Sequence, residues 1–430
     1  MTEDFLHYIW RCGLFYPLTT NTFQDVEVIS TGQPNPDAGP DFFNAIIRIE
    51  DIVMAGNVEI HINASDWFKH GHHKNRAYDN VIIQLVLNPD TEISRINGEI
   101  IPTAVIRFDK RLYENYKDLL DNEFWIPCEP FFQFADMNVV GEWLEIQALR
   151  RIEQKVSHIG NILYHNRNDW QESFYQLLAR NFGFRLNGAA FEMLARSLPF
   201  KLLLKHRDNL LQLEALLFGQ AGMLQEDGDD YYRELKMEYL FLRRKYGLKP
   251  HEKYLWKYLR LRPANFPTLR IAQFASFIHQ TPGLFATIME TRDIKKMKVF
   301  FEISAARYWN THYVFNKPSA MRIKTIGKFA VHSIIVNTVA PLLYFYGKYR
   351  QMPDLCQRAI EFLKNLPPET NSVVSKWNAL GVSADSAFIS QALLQQKNEY
   401  CFYKKCLHCS IGIFFIKNSI NFDRSVTGKS

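Results

Sequence analysis

Cysteine is scarce, with six in 430 residues, and the six are too unevenly spread for a disulfide framework because three of them crowd the C-terminus. That usage fits a reducing compartment and a cytoplasmic location, and it leaves metal ligation as a use for the clustered three. A long apolar run is missing as well. The longest, Ile334 to Tyr346, is interrupted by Asn337 and Pro341 and falls short of the ~20 apolar residues a bilayer span requires, so neither a transmembrane segment nor a membrane partner is expected. The opening MTEDFLHYIW carries acids where a secretory signal has lysines or arginines, and reads as a first helix. Low-complexity tracts, long linkers and fixed-period repeats are also lacking, so the domains are expected to pack together. Charge of one sign is not in large excess. The net charge of +6 is modest, and its local distribution carries more information than its total.

What is present begins with an ordinary globular composition, 47% hydrophobic and 22% charged, in a chain long enough for two or three domains. The stretch Gly39 to His61, GPDFFNAIIRIEDIVMAGNVEIH, reads as two strands joined by a tight turn at Glu50-Asp51. Partner positions then sum to about 101, so Asp41 faces roughly Ile60 and comes close to Glu59. Alternation puts Val58, Ile60 and Ile62 on one face and Asn57, Glu59, His61 and Asn63 on the other. Two carboxylates beside a basic residue on a rigid hairpin suit a hard divalent cation, Mg²⁺ or Mn²⁺. Asp41 and Glu59 are the expected ligands. The ion would polarise a phosphodiester and acidify its water, while His61 orients or deprotonates that water or stabilises developing charge. With an imidazole of reference pKa ~6.5 in this role, activity would fall in mild acid.

Pro40-Asp41 followed by Glu59-x-His61 resembles the motif of the PD-(D/E)xK nuclease superfamily, with His61 where lysine is usual. The order of elements agrees: a helix near Phe5 to Phe15, three strands, a helix near Asp66 to Tyr78, and a strand at Val81 to Leu87. The phrases GPDF, GNVEIH, SDW, EALLFGQAGML, RPANFP and YCFYKKCLHC resemble, over nearly the full length, an uncharacterised domain family of Bacteroidetes-type bacteria that carries no established activity. Its pattern fits His70, His72 and Tyr78, but has Asp where Asn75 stands and His where Gln84 stands.

In chain order, the first strand is Asp25 to Ile29, and Thr31 to Pro40 is a turn-rich loop able to approach a substrate backbone. Ser65 is placed to cap the following helix. Val81 to Leu87 is almost wholly apolar, as a strand covered on both faces would be, with Gln84 inside it. Asn97-Gly98 signals a further hairpin extending the sheet through Phe108. From about Arg111 the period changes from two to 3.6 and stays there. A boundary is placed in the turn-rich Trp125 to Pro130.

Three further groups of residues could carry chemistry. His70, His72 and His73, after Asp66, could join His61 around a transition metal such as zinc, or act with Asp66, Tyr78 and Gln84 as supporting or substrate-contacting groups; a polar helix surface is the bland alternative. Cys401-x4-Cys406-x2-Cys409 matches one spacing seen in iron–sulfur ligation and needs a fourth ligand. Cys128 is the first choice, with Cys356 and His408 as alternatives, the latter suiting zinc. Phe241 to Arg270 holds nine Lys or Arg residues against one acid, Glu252, with aromatics interleaved. Lys253, Trp256, Lys257 and Arg260 are the expected nucleic-acid contacts there, although a core aromatic stripe with a solvated basic face gives the same pattern.

These readings combine into an α+β protein: a restriction-endonuclease-like αβββαβ domain over residues 1–130 and a large all-α region over 131–430. The leading expectation is a metal-dependent nuclease or phosphodiesterase acting on DNA or RNA. Alternatives are a nucleic-acid-binding protein that keeps such a fold without cleavage, and a zinc hydrolase built on the histidines.

Overall fold

β-Branched and aliphatic residues concentrated between Leu18 and Val105 build one mixed sheet. Its strands are β1 (Leu18–Thr19), β2 (Asp25–Ser30), β3 (Gln33–Pro34), β4 (Phe42–Ile49), β5 (Ile52–Asn63), β6 (Val81–Asn88) and β7 (Thr103–Val105). They run in the order β1-β2-β4-β5-β6-β7, with β3 pairing β4. The first five pair antiparallel, and β6 and β7 continue in parallel register. The computed structural model describes residues 1–418. It divides into two units, Met1–Leu144 with the chain from Gln396 onward, and Glu145–Gln395.

The β4–β5 hairpin turns at Glu50, whose φ is +51°, and Ile49 pairs with Ile52 as the turn position dictates. Farther along, a bulge at Asn44 (φ +56°) shifts the register by one, so Phe42 faces Val58. The sequence after Asn97-Gly98 behaves differently from expectation. Only a Ser94–Ile100 bridge forms there, and the chain then adds β7 parallel to β6. β6 is covered on both faces, with Val81, Ile83, Leu85 and Val86 fully buried.

Helix α1 (Glu3–Arg11) packs on β5 through its apolar face, burying Phe5, Leu6, Ile9 and Trp10. Beyond β5, the expected single helix from Asp66 to Tyr78 is broken. A four-residue α2 (Asp66–Lys69) ends at Gly71, whose φ is +76°, and two short 3₁₀ turns follow at His72–Lys74 and Arg76–Tyr78. Ser65 does not cap α2. Asp66 does the local satisfying, accepting from the backbone and side chain of Asn63 at 3.0 and 3.2 Å. Trp67, Tyr78, Val81, Val86, Ile93 and Ile101 form a small core under this segment.

The units do not follow a single cut near residue 130. The C-terminal segment belongs with the sheet: Asn115 in α3 (Lys110–Asp121) donates to the Ile416 carbonyl at 3.0 Å, and Arg11 donates to that of Leu407 at 2.9 Å. The boundary at Leu144 lies inside the 29-residue α4 (Met137–His165).

The second unit is helical, with one departure from an all-α expectation, a two-stranded antiparallel sheet of His312–Val314 and Lys317–Pro318. Its core is aromatic: Phe274 meets Tyr175 at 5.8 Å and Phe182 at 4.8 Å between ring centroids. The buried Glu214 of EALLFGQAGML accepts from Trp309 Nε1 at 2.9 Å and from the Tyr231 hydroxyl, a structural use of that motif. Lys328–Tyr349 is long and apolar enough to cross a membrane, which the apolar run within it is not, and 67% of the apolar window is buried inside the fold.

Gly71 has open space where a Cβ would stand, so Gly71→Ala isolates backbone strain. Its expected cost is about 1–2 kcal/mol, and less for Gly71→Asn, because only the left-handed conformation is penalised. Urea unfolding of both variants checks this, and equal stability of Gly71→Ala and the parent would contradict it.

Candidate metal centre

The hairpin and the broken helix bring five titratable side chains to the inner end of β5. Glu59 and His61 sit on β5 and are 4% and 1% exposed, so the face they share is buried. His70 closes α2, and the turn at Gly71 swings His72 back beneath it. His72 is fixed by stacking on Tyr78 at 3.9 Å. Asp41 immediately precedes β4, and its Oδ2 accepts from the Ile60 amide at 2.9 Å. Its own amide donates to Glu59 Oε2 at 3.2 Å.

The distances among the donor atoms are specific. His72 Nε2 stands 3.0 Å and His61 Nε2 3.4 Å from Glu59 Oε1, and His61 Nε2 stands 3.3 Å from His70 Nδ1. His72 Nε2 is buried and near the carboxylate without hydrogen-bond alignment. Neighbouring ligands on one ion with bonds of about 2.0–2.1 Å are separated by roughly 3.0–3.4 Å, depending on octahedral or tetrahedral geometry. The ligand nitrogens of His61, His70 and His72 all lie within 4.8 Å of one another.

Electrostatics agree with the geometry. Burial, and then the Asp41 charge, push the Glu59 carboxyl well above its ordinary 4.5. Burial and the neighbouring His72 and His70 rings push His61 down to about 4, so it is neutral. Burial also lowers His72. The pocket thus sets two imidazoles that burial keeps from protonating, His61 and His72, beside a carboxyl that burial keeps from ionising.

Several supporting roles differ from the sequence reading. His61 Nδ1 faces Gln84 Nε2 at 2.9 Å, and Gln84 also donates to the Ala64 carbonyl and accepts from Thr103. Asp66 is occupied with Asn63 and Lys69. Asn75 caps the Arg76–Tyr78 turn through the Ala77 amide, and His73 turns away to Phe68, 5.1 Å between centroids. Sequence reasoning missed Glu3 and His7. His7 Nε2 lies 3.3 Å from Asp41 Oδ2. Burial lowers the His7 pKa, but the bond and charge of Asp41 outweigh it, and the net shift is upward. The signal was available as Glu3-x3-His7, one face of a helix.

The cysteines expected to act together are brought together. Cys128, Cys401, Cys406 and Cys409 line one small cavity with Gln396 and Tyr400. Neither alternative fourth ligand takes part: Cys356 belongs to the helical unit and donates to the Tyr344 carbonyl, and His408 is not in the lining.

The expected nucleic-acid contacts fare unevenly. Trp256 is 5% exposed, donates to the Ala221 carbonyl at 2.8 Å and packs edge-on against Phe191, so it is a core anchor and offers no face to a base. Lys253 is exposed and paired with Glu226 at 2.5 Å. Lys257 and Arg260 are exposed, and the Lys257 backbone is held by Asn187. The stronger basic feature lies nearby in the same unit, a cleft of about 850 Å³ whose charged lining is Arg262, Arg270, Arg322, Lys324 and Lys328 against Glu302 alone. Arg262, Ala264 and Asn265 of RPANFP line it, and Asn265 holds the buried Arg270 at 2.6 Å. Lys324 is a strut, its ammonium donating to the carbonyls of Trp309 and His312.

A family model described as a protein of unknown function, DUF2851, matches residues 3–372. No curated protein and no solved structure matches the chain.

The raised Glu59 pKa has a defined linkage. Above pH ~5 the unfolded chain has released this proton while the metal-free folded protein retains it, so the group's contribution to stability falls as pH rises. With chelator present, Glu59→Gln is expected to melt above the parent, by a margin that widens from pH ~5 to ~8. A margin that does not change with pH would contradict the assignment.

Proposed function

The chain belongs to the DUF2851 family, whose description assigns no activity, and we propose from the site itself that it is a metal-dependent phosphodiester hydrolase of the nuclease class. The observation carrying this reading is the grouping of the His61, His70 and His72 ligand nitrogens within 4.8 Å of one another, with His61 and His72 each 3.0–3.4 Å from Glu59 Oε1. The succession α1, β2, β4, β5, α2, β6, with the two-residue β1 and β3 set aside, supports it, being the αβββαβ order of the PD-(D/E)xK nucleases with Asp41 just before one strand and Glu59-x-His61 on its neighbour.

Three imidazoles and one carboxylate are a donor set for Mn²⁺ or Zn²⁺ rather than for Mg²⁺, which takes oxygen ligands. This revises the expectation of an ion shared by Asp41 and Glu59 alone. When bound, the ion supplies a Lewis acid for a phosphoryl oxygen and an acidified water. His61 becomes a ligand instead of a base, because its Nε2 faces Glu59 and His70. That coordination requires its proton on Nδ1, and Gln84, whose amide nitrogen faces Nδ1 and donates to the Ala64 carbonyl, would have to turn and give up the Ala64 bond to accept it. The half-exposed Asp41–His7 pair then performs the proton work. Asp41, oriented by the Ile60 amide and His7, accepts a hydrogen bond from the attacking water. His7, whose pKa the bond and charge of Asp41 raise, stabilises charge on the phosphate or donates to the leaving oxygen when protonated.

A second reading, nucleic-acid binding without cleavage, is favoured by the basic cleft of the helical unit. Cations lining a groove neutralise phosphates and give salt-dependent affinity.

Purified protein is expected to cleave DNA or RNA with Mn²⁺ or Zn²⁺, with cleavage abolished in Glu59→Gln and His72→Ala and reduced at least ~100-fold in Asp41→Asn and His7→Gln. Because His61 titrates near 4, its protonation is expected to stop activity well below the reference imidazole value. Cleavage that survives Glu59→Gln would exclude the site. For the second reading, Arg262→Ala and Arg322→Ala are each expected to lower the salt slope of single-stranded DNA binding by about 1. An unchanged slope would remove the cleft from nucleic-acid contact.

A further inference from the structure

Four of the chain's six cysteines line one cavity although Cys128 stands far from the other three in sequence. All four are buried and none is in a disulfide. Single buried cysteines are ordinary core residues. Four thiols converging from three segments on one cavity gather the atoms a metal centre would need. The segments are the turn before Glu129, the helical stretch Gln396–Cys401 and the turn Cys406–His408 with Cys409.

We propose that Cys128, Cys401, Cys406 and Cys409 ligate an iron–sulfur cluster, a second centre independent of the histidine site. The spacing Cys401-x4-Cys406-x2-Cys409 is one used for such clusters, and Cys128 completes the four. The surroundings are arranged for thiolate sulfur. Trp143 Nε1, which can only donate, gives its hydrogen to Gln396 Oε1 at 2.7 Å. The Gln396 amide nitrogen is thereby turned inward, where it donates to Cys401 Sγ at 3.3 Å and Cys409 Sγ at 3.2 Å. The backbone amides of Ile411 and Gly412, in the first turn of the helix Ser410–Lys417, also donate to Cys409. Such N–H···S donors stabilise sulfur that carries negative charge. A cluster core of charge +2 with four thiolates has net charge −2, and the lysines at 397, 404 and 405 stand beside it; Lys405 lines the cavity. Lys397 and Lys404 electrostatically favour the thiolates of Cys401 and Cys406.

Without a cluster, burial and the proximity of the other thiols keep Cys128 protonated. On ligation each thiol loses its proton to solvent and its sulfur bonds to iron. Because Cys128 precedes Glu129 and the other three lie at Cys401 and beyond, the cluster clasps the C-terminal segment onto the sheet unit.

The test is the composition of the anaerobically purified full chain, before and after reconstitution with ferrous iron and sulfide. The expected result is iron with an equal amount of acid-labile sulfide and a broad visible absorption, retained in Cys12→Ser and Cys356→Ser and lost in Cys128→Ser and Cys406→Ser. Acid-labile sulfide separates this centre from iron bound at the histidines. Gln396→Leu is expected to keep the fold and surrender iron to a chelator about 10-fold more readily. Zinc in place of iron, no sulfide after reconstitution, or a full cluster in Cys128→Ser would each overturn the proposal.

Discussion

A carboxylate on a strand buried on both sides must be solvated by something other than water, and at Glu59 the fold supplies imidazoles instead of a lysine or arginine. The cost of an unpaired buried charge is several kcal/mol or more, so the site holds either a proton or a cation. Every local feature serves that constraint. Parallel pairing with β6 buries β5 and puts Gln84 against His61. The left-handed turn at Gly71 ends α2 and brings His72 to Glu59, where Tyr78 holds the ring. Just before β4, the Asp41 carboxylate is seated on the Ile60 amide.

The same economy of buried polar groups explains the other conspicuous residues. Gln396 is satisfied by Trp143 on one side and by the sulfurs of Cys401 and Cys409 on the other. In the helical unit, Arg270 has its guanidinium tied to Gln273 and Asn265 and laid over the Phe184 ring, and burial lowers its pKa only to about 10. It therefore remains a permanent cation at the wall of the cleft.

The sequence was legible where spacing and alternation decide the outcome. A turn at Glu50-Asp51 placed Asp41 opposite Ile60 to within one residue, and the apolar run of β6 announced a strand covered on both faces. Clustering and composition brought Cys128 to Cys401, Cys406 and Cys409. Illegible were features that depend on a single backbone torsion or on tertiary contact. The periodicity from Asp66 to Tyr78 reads as one helix, and only the conformation at Gly71 breaks it into pieces that turn His70 and His72 inward. His7 reached the site because α1 packs on β5, a contact no local pattern encodes. Trp256 sat among cations in sequence, yet its indole is worth more in the core, where Ala221 takes its hydrogen, than in solvent.

The most direct measurement of the central claim is X-ray absorption at the metal edge of the protein loaded with one equivalent of Mn²⁺ or Zn²⁺. The account predicts one bound ion with the outer-shell scattering of three imidazoles and a first shell completed by oxygen. An ion surrounded by oxygen alone, or no ion retained at one equivalent, would contradict it.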